Sequence, residues 1–126
     1  MGGGGTTFAS NTDKTFLTSV GLAAWGPDNG ATIKTATLFI CSDADTVAGC
    51  GFSTTAYGQI TDPTPKMVLD IPGASHFNWF SPTDAGGGES GQYALAFQKV
   101  YLEGDERWKP LLLSKPTSGK TTTNIK

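Results

Sequence analysis

The chain has 126 residues, enough for one small domain, and combines 37% hydrophobic residues with only 16% charged residues. Its three Trp, three Tyr and seven Phe predict a packed core and exclude a disordered chain. The formal net charge of −2, without any cluster of Lys or Arg, argues against nucleic acid or an anionic membrane surface as a partner.

The sequence contains no membrane anchor or export signal that we recognise. No apolar run approaches the roughly 20 residues that a transmembrane helix requires. The first residues also lack the basic stretch followed by an apolar stretch that marks a signal peptide.

The first quarter of the chain predicts a flexible start followed by a strand. Residues 1–12 are rich in glycine and small polar residues, which is typical of a linker. The segment Lys14–Ala24 is mostly apolar or β-branched and predicts a buried strand that ends at Trp25. The turn-forming run GPDNG follows it.

The middle of the chain predicts two more strands around a helix. Thr35–Cys41 is continuously apolar at its end, as expected of a parallel strand covered on both faces, and leads into a loop with Asp43 and Asp45. Ser53–Ile60 is weakly helical, and Lys66–Ile71 is a short apolar strand.

The last third predicts one long helix and a polar tail. The loop before the helix contains His76, the only histidine. Apolar residues in Glu89–Glu103 recur with helical spacing, and Gly104 is a candidate C-cap. Residues 114–126 are rich in Lys and Thr, so we expect a frayed tail behind a domain that spans residues 1–113.

This order of elements predicts an α/β fold with about three parallel strands and flanking helices. Reactive groups in such folds gather at the carboxyl ends of the strands, where Asp43, Asp45 and His76 are predicted to lie. An acid that precedes a histidine follows the chain order of α/β-hydrolases, in which a serine on a strand-to-helix turn comes first.

The two cysteines leave two readings open. Cys41 and Cys50 are too far apart for a C-x-x-C pair, and a single histidine adds little, so we predict no metal site. They form either a small-loop disulfide or two buried thiols.

Five segments, in the right order, resemble bacterial cutinases and polyethylene terephthalate hydrolases. The start resembles the run that directly follows the catalytic serine in that family, which fits residues 1–6 better than a linker does, because such glycines let the start of a helix pack closely under the serine. The other segments resemble the family's Pro-Trp strand end, acid loop, histidine loop and last helix. These segments read MGGGGT, AAW, TLFI with DADTVA, GASHF, and YALAF with DERW. The resemblance implies that the chain is the C-terminal portion of an α/β-hydrolase and starts just after the nucleophile.

The resemblance also implies roles for individual residues. His76 would be the general base, Asp45 would orient it, and the backbone N–H of Met1 would form half of the oxyanion hole. Asp43 competes for the acid role but could merely cap a turn.

Substrate contacts follow from the same resemblance. Trp25 would stack on the acyl or aromatic part of the substrate, or belong to the core. Val47, Phe77 and Trp79 would line an apolar groove.

The implied function is that of a secreted serine ester hydrolase that acts on esters or polyesters without a cofactor or metal. The serine is absent from this chain, and Ser42, Ser53, Ser75 and Ser81 lack the elbow motif, so we expect the chain alone to have activity near background. Its partners would be the ester substrate and either the missing N-terminal half or a second copy of the chain. The alternative is a non-catalytic fragment that pairs with itself or another chain through an exposed sheet edge.

Overall fold

A four-stranded mixed sheet forms the centre of the molecule, in a computed structural model that describes residues 2–25, 30–79, 83 and 86–126. The strands are ordered β1-β2-β3-β4, with β1–β3 parallel and β4 antiparallel to β3. Their bounds are Thr18–Leu22 for β1, Ala36–Cys41 for β2, Lys66–Asp70 for β3 and Lys120–Thr123 for β4. The predicted α/β class with three parallel strands is therefore confirmed.

Helices cover the sheet on both faces. They are α1 (Gly2–Thr12), α2 (Cys50–Gln59), α3 (Gly87–Tyr101) and α4 (Lys109–Leu113), with short 3₁₀ turns at Gly30–Thr32 and Glu106–Trp108. Helix α1 packs against β1, α2 packs against β2 and β3, and α4 packs on α3. None of the helices in the described part of the chain is long and apolar enough to cross a membrane.

Alternate residues of β2 and β3 supply two separate apolar cores. Leu38, Ile40 and Leu69 face α3, where they pack with Phe97 and other buried side chains. Phe39, Cys41 and Val68 face α2 on the other side. Every residue of β2 and β3 is buried, which is why the sequence is apolar from Leu38 to Cys41 in β2 and from Met67 to Leu69 in β3.

The helix predictions differ from the structure mainly at the ends. The weakly helical segment is α2, which begins three residues before the predicted start, and α3 begins two residues before its own. Leu102 is the C-cap of α3, so the assignment of Gly104 as the cap is wrong by two residues. Gly104 has a positive φ of 72° and turns the chain so that the Asp105 N–H donates to the Lys99 carbonyl at 2.9 Å.

The linker interpretation of the Gly-rich start and the expectation of a frayed tail are wrong. Residues 2–12 form helix α1, in agreement with the helix start that the resemblance implies, and a Cβ added at Gly3 would clash with the Leu22 carbonyl oxygen. The tail is not frayed, because β4 adds an edge strand to the sheet beside β3.

Candidate active site

Three loops meet at the carboxyl edge of the parallel strands, one after each strand. The loop after β1 contains Trp25, the loop after β2 contains Asp45, and the loop after β3 contains His76. Because parallel strands all end at the same edge, these loops are neighbours in the fold.

The acid loop is organised by the Asp45 side chain itself. Its Oδ1 accepts hydrogen bonds from the backbone N–H groups of Val47 at 2.7 Å and Ala48 at 2.8 Å. The Ser42 hydroxyl accepts from the Ala44 N–H at 3.1 Å, one turn earlier in the same loop. These bonds fix the carboxylate before α2 begins at Cys50.

The second oxygen of Asp45 contacts the histidine. Oδ2 lies 2.8 Å from His76 Nδ1, and the aspartate side chain is fully buried while the histidine side chain is 20% exposed. An ionised carboxylate can only accept a hydrogen bond, so Nδ1 carries the proton and donates it. The lone pair of Nε2 is then available to accept a proton from another group.

The environment keeps Asp45 ionised. Burial alone raises the pKa of this carboxyl, but the Ala48 N–H, the His76 ring and the Val47 N–H each lower it, and the net pKa lies below the ordinary value. A carboxylate that stays charged at neutral pH can hold the imidazole in one tautomer and stabilise its protonated form.

Asp43 has a different environment from Asp45. Its side chain is exposed, and Oδ2 lies 3.8 Å from the Lys120 ammonium on β4. The structure therefore brings Asp45, and not Asp43, to His76.

A disulfide closes the acid loop. Cys41 at the end of β2 is bonded to Cys50 at the start of α2, nine residues later. Asp45 lies inside this closed loop, so the covalent bond limits how far the carboxylate can move.

Exposed apolar side chains lie on the same loops. Trp25 is 62% exposed, and its ring centroid lies 6.1 Å from that of Phe52 on α2. Phe77 is 68% exposed and meets the His76 ring edge-on at 5.3 Å. Val47 is exposed as well. Phe52 was not among the predicted site residues, although it is an apolar residue in the first helical turn after the acid loop.

Of the two remaining predicted site residues, the structure describes only Trp79. Trp79 is half-buried and packs against the α3 side of the core, and its buried indole N–H has no hydrogen-bond partner among the described residues. Met1 lies outside the described residues, so the predicted oxyanion-hole N–H has no position here.

The serines that the chain offers near this edge differ in access. Ser42 and Ser53 are fully buried, Ser75 is exposed beside His76, and Ser81 lies outside the described residues. The Ser42 hydroxyl already accepts a bond within the acid loop, and Ser53 faces the interior from α2. Neither buried hydroxyl is accessible to a substrate.

Comparison with known proteins identifies close similarity to one family. The family named PETase and described as PET hydrolase-like matches residues 1–126. Cutinase est2 from Thermobifida alba is 31% identical over 123 residues, which cover 94% of this chain and 39% of that protein. Cutinase from Thermobifida fusca (strain YX) is 27% identical over 94% of this chain and 39% of the relative.

A relative with a different name has a similar identity and coverage. Bis(hydroxyethyl) terephthalate hydrolase from Streptomyces coelicolor is 26% identical, over 96% of this chain and 38% of that protein. The chain thus spans about two fifths of the length of the curated relatives that it matches.

Proposed function

Because this chain belongs to the PET hydrolase-like family, we propose that it is the part of a carboxylic ester hydrolase that carries the acid and the histidine of a Ser-His-Asp triad. The observation that carries the proposal is the buried contact of 2.8 Å between Asp45 Oδ2 and His76 Nδ1. A carboxylate that orients an imidazole in this way is the supporting half of nucleophilic ester cleavage.

In the proposed reaction, His76 acts twice through Nε2. It first takes the proton of a serine hydroxyl as the oxygen attacks the ester carbonyl, and then gives that proton to the leaving alcohol. Water repeats the cycle on the acyl-enzyme. Asp45 stays ionised throughout and stabilises the imidazolium, and the reaction needs no metal or cofactor.

The exposed apolar side chains support an apolar ester as substrate. We propose that Trp25 and Phe52 contact the acyl or aromatic group, and that Val47, Phe77 and Trp79 extend this surface. Names of relatives include cutinases and a bis(hydroxyethyl) terephthalate hydrolase, which favours cutin-like or terephthalate polyesters and their short esters.

The nucleophile is proposed to come from a segment that precedes the Gly-rich helix α1. In this arrangement the Met1 N–H, next to the serine, would contribute to the oxyanion hole. Residues 2–126 alone would then hydrolyse esters at a rate near background. The Cys41–Cys50 disulfide favours an exported protein, because disulfides persist in oxidising compartments.

The test is to restore the missing part. A cutinase segment that ends in a Gly-X-Ser elbow is joined ahead of residue 1, and hydrolysis of a chromogenic short-chain ester is measured. We expect activity in the joined protein, and a loss of about 10⁴-fold in kcat for Asp45→Asn, which leaves His76 in the wrong tautomer. His76→Ala should cost at least as much.

A matched variant separates chemistry from folding. Asp43→Asn changes the neighbouring acid of the same loop, which faces Lys120, and should leave kcat within a few fold. A joined, folded and active protein whose kcat survives His76→Ala would exclude the proposed role.

A second candidate function rests on β1. Among the described residues this strand pairs only with β2, and the buried hydroxyls of Thr18 and Ser19 have no hydrogen-bond partner. Leu17, just before it, is 63% exposed. A non-catalytic module that binds a second copy or another chain through this edge would keep its association when His76 is replaced by Ala, whereas ester hydrolysis requires the imidazole.

A further inference from the structure

We propose that the chain has a thiol-based metal site apart from the candidate active site: when the Cys41–Cys50 disulfide is reduced, the two thiolates and the Asp70 carboxylate bind one Zn²⁺ ion. This site lies between α2 and the sheet, and Asp70 takes no part in the proposed ester chemistry. The inference does not depend on the proposed function.

The sheet register places these groups in one row. Cys41 on β2 is paired with Asp70 on β3, and Asp70 is paired with Lys120 on β4. Paired residues of neighbouring strands project to the same face, and Cys41 belongs to the core cluster on the α2 face. Cys50, the first residue of α2, is joined to Cys41 of this row by the disulfide.

The donor atoms lie close enough together to bind one zinc ion once the disulfide is reduced. The two Sγ atoms and a carboxylate oxygen of Asp70 all lie within 4.8 Å of one another. A tetrahedral ion with Zn–S bonds of about 2.3 Å and a Zn–O bond of about 2.1 Å places its ligand atoms roughly 3.5–3.8 Å apart. Reduction lets the two sulfur atoms separate, so the triangle can adopt these distances without large backbone movement.

Asp70 supplies an independent indication of a ligand. The residue is 4% exposed, and its buried Oδ1 has no hydrogen-bond partner in the part of the chain that the structure describes, while Oδ2 binds the Lys120 ammonium at 2.9 Å. An orphaned carboxylate oxygen in the interior is costly unless it binds a cation or a donor. The Lys120 side chain is 70% exposed and can return to solvent when a divalent ion takes its place.

The site has room for a fourth ligand. A cavity of about 180 Å³ is lined by Cys50, Thr54 and Asp70, among others, and Asp43 lies at its wall. Water from this cavity can complete four-coordinate geometry. Two thiolates with one carboxylate favour zinc over magnesium or calcium, which prefer oxygen ligands.

The chemistry balances with a named reductant. A phosphine supplies two electrons to the disulfide and takes the oxygen of one water molecule to become its oxide, and the two protons of that water convert the two sulfur atoms to thiols. Binding of Zn²⁺ then displaces those two protons. Because the ion joins the same two cysteines, the acid loop would stay closed in a reducing compartment, where the disulfide does not persist.

The test measures metal binding by the whole chain with and without prior reduction. The reduced chain should bind one Zn²⁺, and Co²⁺ in its place should give the thiolate-to-cobalt charge-transfer band and visible absorption of a tetrahedral site. The oxidised chain should show neither Zn²⁺ binding nor these Co²⁺ absorption bands. Asp70→Asn, which leaves both thiols in place, should weaken Zn²⁺ binding by more than the 10- to 100-fold that an outer-shell partner typically costs.

Asp43→Asn is the matched control, because it removes another carboxylate of the same cavity. Its exposed charge should alter the affinity by no more than about fivefold. Reduced wild type that binds no Zn²⁺, or Asp70→Asn that binds as tightly as wild type, overturns the proposal. If the chain unfolds on reduction, far-ultraviolet circular dichroism provides the test. Zinc should then restore the folded spectrum of the wild-type chain and not that of Asp70→Asn. A reduced wild-type chain that zinc does not refold counts against the site.

Discussion

The two oxygens of Asp45 have separate partners. Oδ1 accepts from two backbone N–H groups of its own loop, and Oδ2 faces the His76 ring. The first set of bonds fixes the loop, and the second fixes the imidazole. A substitution that keeps the hydrogen bonds to the loop but changes the bond to the imidazole should therefore affect catalysis more than stability.

Asp45→Ala and Asp45→Asn should differ in stability. Alanine leaves the buried Ala48 N–H and the partly buried Val47 N–H without an acceptor. At about 1–3 kcal/mol for a buried group and less for a partly buried one, we expect a loss of about 2–4 kcal/mol in the free energy of unfolding. Asparagine keeps an oxygen for these donors and should lose about 1 kcal/mol. Urea denaturation with the disulfide intact measures both, and equal losses would show that the loop does not depend on this acceptor.

The lowered pKa of Asp45 makes part of the stability dependent on pH. Its contribution is present above the unfolded value of about 3.9 and is lost as the pH falls through the lower folded pKa. The stability advantage of wild type over Asp45→Asn should therefore be constant near neutral pH and shrink as the pH falls below about 4. Urea midpoints of both proteins from neutral to acidic pH test this. An advantage that is unchanged in acid would show that the carboxylate gains nothing from its ionised form.

At the level of the elements, β2 and β3 were predictable because burial on both faces leaves an unbroken apolar run. Strand β4 was not, since its sequence KTTT is polar and half-exposed and its pairing depends on a distant partner. Asn124 holds its end: the side chain accepts from the Lys66 N–H at 2.9 Å and donates to Asp62 Oδ1 at 2.7 Å. Such a long-range contact leaves no periodic signal in the sequence.

Helix α1 was predictable from the resemblance and not from composition. Four successive glycines have poor helix propensity, and composition alone indicates a linker. The glycines are needed where the helix approaches the chain after β1, since a Cβ at Gly3 would lie 2.8 Å from Ala24 Cα and one at Gly4 would lie 2.6 Å from the Trp25 carbonyl oxygen. Packing therefore selects residues that local propensity disfavours.

Gly3→Ala and Gly5→Ala make a matched pair on this helix. The first places a methyl group against backbone atoms and should destabilise by about 1–3 kcal/mol, as overpacking does. The second meets no atom within 4 Å and should stabilise by about 0.5–1 kcal/mol through helix propensity. Thermal and urea unfolding of the two variants measure the difference. Two stabilised variants would mean that α1 does not pack closely on the end of β1.

At the scale of the whole molecule, chain order and strand ends were enough to place an acid and a histidine on one edge. The choice between Asp43 and Asp45 needed the resemblance, because both follow β2 within a few residues. The aromatic contact between Trp25 and Phe52 was not predictable, since it joins a loop after β1 to a helix after β2. The row formed by Cys41, Asp70 and Lys120 depends on strand register, which spacing in the sequence does not reveal.

The free edge of β1 should determine how the isolated chain associates in solution. Strand β1 has a described partner on one side only, and Phe16 and Leu17 are exposed beside it. An unpaired apolar edge is a template for a further strand. We expect the chain to sediment as a dimer at micromolar to millimolar concentrations and Leu17→Lys to shift it to monomer, because a charge at an edge opposes pairing. Leu113→Lys, on α4, is the matched control for loss of an exposed leucine and should leave the dimer intact.

If the ester hydrolase proposal is correct, the complementary segment of a relative competes for the free edge of β1. Addition of that segment should therefore dissociate the dimer as activity appears. A wild-type chain that stays monomeric throughout that range, or dimers that persist while activity is restored, would show that β1 is not the edge where the rest of the enzyme pairs.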